Sequence, residues 1–296
     1  MANKNSCTYK IVTDSTSDLT PKLVEELDVE VIPMEFIFGD EVYHNYPDAR
    51  EMSSKEFYGR LRAGEMSKTN QINTVTFLET FEPYLREGLD VLYIGFSSSL
   101  SGTYQRALEA IEQLREKYPG RRVVPVDSLA VSMGEGLLVY YAALKQKAGA
   151  TLDEAAEWVS VHRFSLSQYF TVDDLNHLKR GGRLSAAAAL FGSMLGIKPV
   201  LRIDDEGHLI PAMKVRGRRQ SLDALLNQME KSIQQPENQT VFIVHCDAQE
   251  DAKYLYKQTK SRVHPKEIIV NDLGPILGTH TGPGGIAIFY LSGNRG

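Results

Sequence analysis

The chain has 296 residues, enough for two compact domains or one large one. Its 42% apolar and 24% charged residues are those of an ordinary soluble globular protein, and a net charge of −5 gives no bulk nucleic-acid footprint. Two cysteines far apart, Cys7 and Cys246, exclude a disulfide framework, and no apolar run approaches the ~18 residues of a membrane-spanning helix. MANKNSCTYKIV lacks the apolar centre of a signal peptide, so the expected location is cytoplasmic.

In chain order, YKIVTDSTSDLT reads as strand, turn and helix cap, with a helix over 21–27. VEVIPMEFIFG is a strand pair or one bent strand, with Pro33 marking an edge. Helices follow at 53–63, where Ser53 caps and Glu56 takes the capping-box position, and at 75–87. A strand at 91–96 leads through a serine-rich loop into a helix over 104–118. RRVVPVDS is a strand, and helices follow at 132–148 and 151–162, the second opening on the capping pattern TLDE. This β/α alternation predicts a largely parallel sheet covered by helices.

The texture changes after about residue 163, and a boundary at 160–165 divides a first α/β domain, 1–163, from a second, 164–296, with a mixed sheet and helices. SQYFTVDDL is a strand and turn, DLNHLKRGGRLS a short helix stopping at Gly181-Gly182, and 186–194 a small-residue apolar helix. KPVLRIDDEGHLIPAMKVRG is a hairpin turning at DDEG. An amphipathic helix spans 218–232, and 240–274 forms a βαβ-like unit. The tail is a Gly-rich loop, GPILGTHTGPGG, followed by an apolar strand.

Five segments carry candidate chemistry. In SSSLSGTYQ, small residues and hydroxyls precede a helix whose first N–H groups lack intrahelical partners, a site for an anion held by Ser101 and Thr103. The segment lacks the lysine of a phosphate-binding loop and the GxSxG of a nucleophile elbow. Asp14 in VTDSTSDLT suits either a metal or phosphoryl role or, with Ser15 and Ser17, a cap. MSKTNQINT is a polar loop offering Thr69, Asn70 and Gln71, and gains meaning only by facing the serine loop. LKRGGRLS places Lys179, Arg180 and Arg183 around two glycines, suiting a phosphate or carboxylate; helix C-capping also explains Lys179, Arg180 and Gly181. In GTHTGPGG, His280 sits in a tight Gly/Pro loop from which it can donate to an oxyanion. No sequence pattern of metal ligands is present.

Taken together, TDSTSDL, KT-x-Q, SSxLSGTYQ, D-L-x-x-L-x-R-G-G-R and G-x-HTGPG resemble the DegV family in order and spacing over nearly the whole chain. The resemblance implies two α/β domains with a long-chain fatty acid between them. It also implies a role as the fatty-acid-binding component of a bacterial fatty acid kinase. A separate kinase subunit would phosphorylate the bound acid, with the acyl-phosphate passing to phospholipid synthesis through transient membrane or acyltransferase contact. Thr69 and Ser101 then match carboxylate ligands and His280 the nearby histidine, with Gln71, Gly102, Thr103, Arg180 and Arg183 as secondary head-group or partner contacts. Many members read T-S-Q-P-S where this chain has Thr69-Asn70-Gln71-Ile72-Asn73, a departure that bears on loop shape.

The resemblance implies a palmitate-like ligand; the absence of a nucleotide loop and of metal-ligand patterns, with the −5 charge, gives the expectation of a carrier with no cofactor, no metal, no nucleic acid and no catalytic residue. Candidate tail contacts are Phe164, residues 186–191, Met194 and Ile197. At ~0.8 kcal/mol per CH₂, a sixteen-carbon tail contributes roughly 11 to 12 kcal/mol before binding costs. The alternatives are an enzyme on a small carboxylated or phosphorylated metabolite, with His280 as acid/base and Arg183 as clamp, and a DNA-associated regulator.

Overall fold

The structure, a computed structural model, describes residues 8–183 and 197–295. The expected apolar helix at 186–194, with the tail contacts assigned to it, lies outside the described residues. Thirteen strands and ten α-helices are described, and they form an α/β fold with three sheets.

The first sheet is wholly parallel, in the order β2-β1-β6-β7, from β1 (Tyr9–Asp14), β2 (Glu30–Ile32), β6 (Asp90–Gly95) and β7 (Val123–Asp127). The central strands β1 and β6 are buried almost throughout, as a sheet covered on both faces requires, and the edge strands β2 and β7 are mostly half-buried. From β1 the chain passes to one side and from β6 to the other. The loops after β1 and β6 therefore adjoin at the point where strand order reverses, the usual ligand position in open parallel sheets.

The second sheet is mixed, β10-β9-β8-β13-β11-β12. It combines β8 (Leu166–Thr171), the hairpin β9 (Ile197–Ile203) and β10 (Leu209–Arg216), β11 (Thr240–His245), β12 (Glu267–Asp272) and β13 (Ile286–Leu291). β11 and β12 are parallel, joined by α9 (Gln249–Arg262), as the βαβ pattern predicts. Helix α8 (Arg218–Ser232) keeps its predicted bounds.

A third sheet, β4-β3-β5, was not legible in the sequence. Pro33 ends β2, and the chain leaves the parallel sheet to form β3 (Met34–Phe38), so VEVIPMEFIFG is two strands in different sheets. β3 pairs antiparallel with β4 (Glu41–Asn45) and β5 (Ser67–Thr69). Phe36, Phe38 and Phe57 pack beneath it with ring centroids 5.5–6.4 Å apart.

The remaining helices are α1 (Pro21–Leu27), α2 (Ser54–Arg62), α3 (Thr74–Arg86), α4 (Thr103–Lys117), α5 (Met133–Lys147), α6 (Leu152–His162), α7 (Asn176–Arg180) and α10 (Pro275–Thr281). Ser53 Oγ accepts the Glu56 N–H, and the Thr151–Glu154 box closes in both directions. Helix α5 is buried around its first three turns because it packs against strands of both large sheets. Among the described residues no helix is long and apolar enough to cross a membrane.

Candidate functional site

The two large sheets and α10 enclose a cavity of about 390 Å³, within the range of small-molecule sites. Its walls are mostly apolar: Phe96 and Leu100 after β6, Val131 before α5, Phe170 and Val172 at β8, and Val244, Ala287 and Phe289 on β11 and β13. Thr69, Gln71, Ser101, Arg183 and His280 line the wall as one polar group, and Thr16, Ser132, Thr171 and Thr281 bring further hydroxyls to it.

Thr69 Oγ1 and His280 Nε2 are 3.0 Å apart. His280 lies in the last turn of α10, not in the loop the Gly/Thr/Pro composition predicts; Pro275 starts the helix, and Gly282 follows it with φ +71°. Two contacts set α10 against neighbouring elements: Tyr58 Oη donates to Leu273 O at 2.7 Å, and the Thr279 and Ser67 hydroxyls are hydrogen-bonded at 2.8 Å.

Burial pushes the His280 pKa down to about 4, with the Arg183 charge adding to the effect, so the ring is neutral near pH 7. Nδ1 is buried without a hydrogen-bond partner. A buried orphan N–H is rarer than an unused acceptor, which assigns the ring proton to Nε2. Nε2–H then donates to Thr69 Oγ1 and leaves the threonine hydrogen free to serve an anion in the cavity.

The serine loop divides its hydroxyls. Ser97 Oγ donates to Gly207 O at 2.9 Å and Ser99 Oγ to Glu206 O at 2.5 Å, so both hold the β9–β10 turn. Ser101 Oγ accepts the Thr103 N–H at 3.2 Å and lies 3.0 Å from Thr103 Oγ1. Thr103 is buried and does not line the cavity; it orients Ser101. Gly102, which opens α4, leaves room for Gln71: a Cβ there would stand 2.3 Å from Gln71 Oε1. The polar segment after β5 therefore does face the serine loop.

Arg183 spans two of the motifs, donating through Nε to Leu100 O at 3.2 Å and through Nη1 to Gly181 O at 2.6 Å. Gly181 in turn lies against His280, where a Cβ would stand 2.4 Å from Nδ1. Arg180 is exposed and not among the lining residues.

Two predicted tail contacts are displaced. Phe164 is 41% exposed, with the Arg163 guanidinium 4.8 Å from its ring centroid, because its 3-10 turn faces solvent. Ile197 begins β9, half-buried and away from the cavity. Thr16 and Ser132 line the wall instead, a pair that sequence reasoning missed; TDSTSDL was the available signal for Thr16. Ser132, at φ +53°, donates to Asp18 Oδ2 at 2.6 Å. Burial raises the Asp18 pKa to about 7, against the pull of Ser132 and the Gly274 N–H.

Asp14 caps the turn Ser15–Ser17, accepting the Thr16 N–H at 2.9 Å, which is the capping role. Cys246 lines the cavity as a free thiol that burial pushes up to about 11, an inert state. Among the described residues no group of three or more His, Cys, Asp or Glu is placed to hold a metal ion.

An α/β protein with a largely apolar inter-sheet cavity, whose lining also brings together hydroxyls and a neutral histidine, is built to hold an amphipathic small molecule. The chain belongs to the DegV family: the family model, described as that of an uncharacterised protein, matches residues 8–293. A DegV domain-containing protein of Clostridium perfringens is 42% identical over 287 residues, 97% of this chain and 98% of its own. One from Lactococcus lactis is 37% identical, over 96% and 98%. Among solved structures, a DegV family protein from Thermus thermophilus described by its fatty acid binding is 29% identical, with TM-score 0.87 over 96% of this chain and 99% of that one. DegV of Bacillus subtilis, described as a fatty acid binding protein, is 27% identical, with TM-score 0.85 over 97% and 100%.

Proposed function

We propose that this protein binds a long-chain fatty acid and presents its carboxylate to a separate kinase, whose acyl-phosphate product feeds phospholipid synthesis. In this reading residues 1–163 and 164–296 act as two α/β domains that meet over the acyl chain. The observation that carries it is the mixed lining of the cavity: mostly apolar walls, with Thr69, Gln71, Ser101, Arg183 and His280 brought together as a polar group. The apolar walls receive the tail, which supplies most of the affinity at ~0.8 kcal/mol per CH₂. Thr69 and Ser101 donate to the carboxylate, His280 orients Thr69, and Arg183 adds positive charge beside it. The chain itself supplies a carrier surface, and the nucleotide chemistry belongs to the kinase. The fatty acids named for related proteins support the ligand class.

Native extraction and mass spectrometry test this directly. Protein purified from a bacterial host is expected to carry a fatty acid in near-stoichiometric amount. Protein that carries none, and takes none up from solution, overturns the proposal. Acyl-phosphate formation with a candidate kinase from the same organism tests the second half.

A further inference from the structure

Behind the cavity wall lies a group of acids with no part in the scheme above. Asp14, at the end of β1, and Glu135, in the first turn of α5, are both fully buried. Thr16 stands between them: its Oγ1 is 2.5 Å from Asp14 Oδ1 and 2.9 Å from Glu135 Oε2. Thr13 Oγ1 donates to Glu135 Oε1 at 2.7 Å. Thr16 also lines the acyl cavity.

Hydrogen counting decides the protonation. The Thr16 hydroxyl owns one hydrogen and lies within bonding distance of two carboxyl groups. Two carboxylates cannot both accept it, so one carboxyl must itself donate to Thr16 Oγ1. Asp14 accepts backbone N–H groups from Thr16 and Phe96, which favour its charged form, whereas Glu135 is bonded by hydroxyls alone. The chain of donors therefore runs from Glu135 to Thr16 to Asp14.

We infer that Glu135 is a neutral acid whose proton latches α5 to the turn that walls the acyl cavity, making it a positioning residue for fatty acid binding. The consequence for binding rests on the fatty-acid reading; the latch itself does not. Asp14 and Asp18 from the turn face Glu135, and Tyr93 from β6 faces Asp14. The charged or titratable groups acting on the pair are thus all acids and a phenol, and burial pushes both carboxyls up. The dipole of α5 favours a charged Glu135, but full burial beside Asp14 opposes it. The helix fits closely here: a Cβ on Gly136 would stand 2.5 Å from Ser17 O. Loss of the proton replaces a hydrogen bond with the meeting of two negative charges at this tight contact.

Infrared spectra of the full chain labelled with ¹³C-Glu test the latch. A protonated-carboxyl carbonyl band is expected near neutral pH, absent from Glu135→Gln. A glutamate spectrum with carboxylate bands alone overturns the proposal, and this holds even where the variant does not fold. Binding of a fluorescent fatty acid tests the consequence. Glu135→Leu and Thr16→Val are expected to lose affinity at least tenfold, and Glu135→Gln to restore it, because its amide both donates to Thr16 and accepts from Thr13. Wild-type affinity should fall by up to tenfold per pH unit on the alkaline side while Glu135→Gln stays level. A Gln variant as weak as the Leu variant, or with the same alkaline loss as wild type, overturns the assignment. Absence of any fatty acid binding defeats the reading above and leaves the infrared result to decide the latch.

Discussion

Thr69 and His280 are 211 positions apart in the chain and 3.0 Å apart in space. One ends a three-residue strand of the small sheet, and the other closes a helix that returns from the far end of the chain. The contact joins two segments whose chemistry is ordinary when each is taken alone. With Nε2–H donating to Thr69, the Thr69 hydrogen is left for a second acceptor, and in the proposed function Thr69 and Ser101 are the two donors to the carboxylate.

Ser101→Ala removes one donor to a charged acceptor, and a loss of about 1.5 to 3 kcal/mol in fatty acid affinity is expected. Ser99 makes the comparison sharp, because its hydroxyl is engaged with Glu206 O on the hairpin turn. Ser99→Ala should leave affinity unchanged. Calorimetric titration of both variants with one fatty acid measures the difference. Equal losses would show that the loop acts only as a scaffold.

The depressed His280 pKa has a definite sign. The folded value of about 4 lies below the ordinary 6.5, so the unfolded chain takes up a proton first as pH falls. Stability from this group is complete above pH 6.5 and is lost as pH falls from 6.5 to 4, by about 3 kcal/mol at most. An NMR titration of the ring should show it neutral at pH 5. Chemical denaturation of His280→Asn should show a shallower loss of stability over that interval. A ring that titrates near 6.5 would contradict the buried, neutral assignment.

Much of the fold is legible because its signals are local. The Thr151–Glu154 capping box, the DDEG turn and the long apolar strands each specify one element without help from distant residues. The third sheet was not legible, because β5 has only three residues and its pairing with β3 is fixed by contacts with distant positions, such as Phe36 with Thr69. Helix α10 was concealed by Gly and Thr; Pro275 at its first turn was the one local cue. At the site, residue types singled out Ser101 and His280 but left Thr69 in an ordinary polar loop; the resemblance alone marked Thr69, and neither indicated the division of labour among the serines. That division depends on where the β9–β10 turn docks. Glu135 was illegible for a different reason: an acid at a helix start reads as a dipole partner in solvent, and only its burial exposes the difference.

Gly181→Ala tests the steric link between the basic turn and the histidine. Residue 181 has φ −69°, so alanine meets no backbone strain there. The added methyl would instead stand 2.4 Å from His280 Nδ1 and force the ring to move. Loss of the Thr69 bond with overpacking should cost about 1 to 3 kcal/mol of affinity or stability. Gly59→Ala in α2, where a Cβ meets nothing within 4 Å, is the matched control. Similar behaviour of the two variants would show that the 181–280 contact carries no weight.

Ala287→Phe tests whether the cavity measures the acyl chain. Ala287 lies on β13 and lines the apolar wall with Val244 and Phe289. In wild type, affinity over a series of saturated fatty acids should rise by ~0.8 kcal/mol per added CH₂ until the cavity is full. A phenyl group at 287 occupies the space of the outer tail while leaving Thr69 and Ser101 in place. The variant should therefore match wild type for short acids and reach its plateau several carbons earlier. A uniform loss at every length would place position 287 near the head group instead, and an unchanged plateau would place the tail elsewhere.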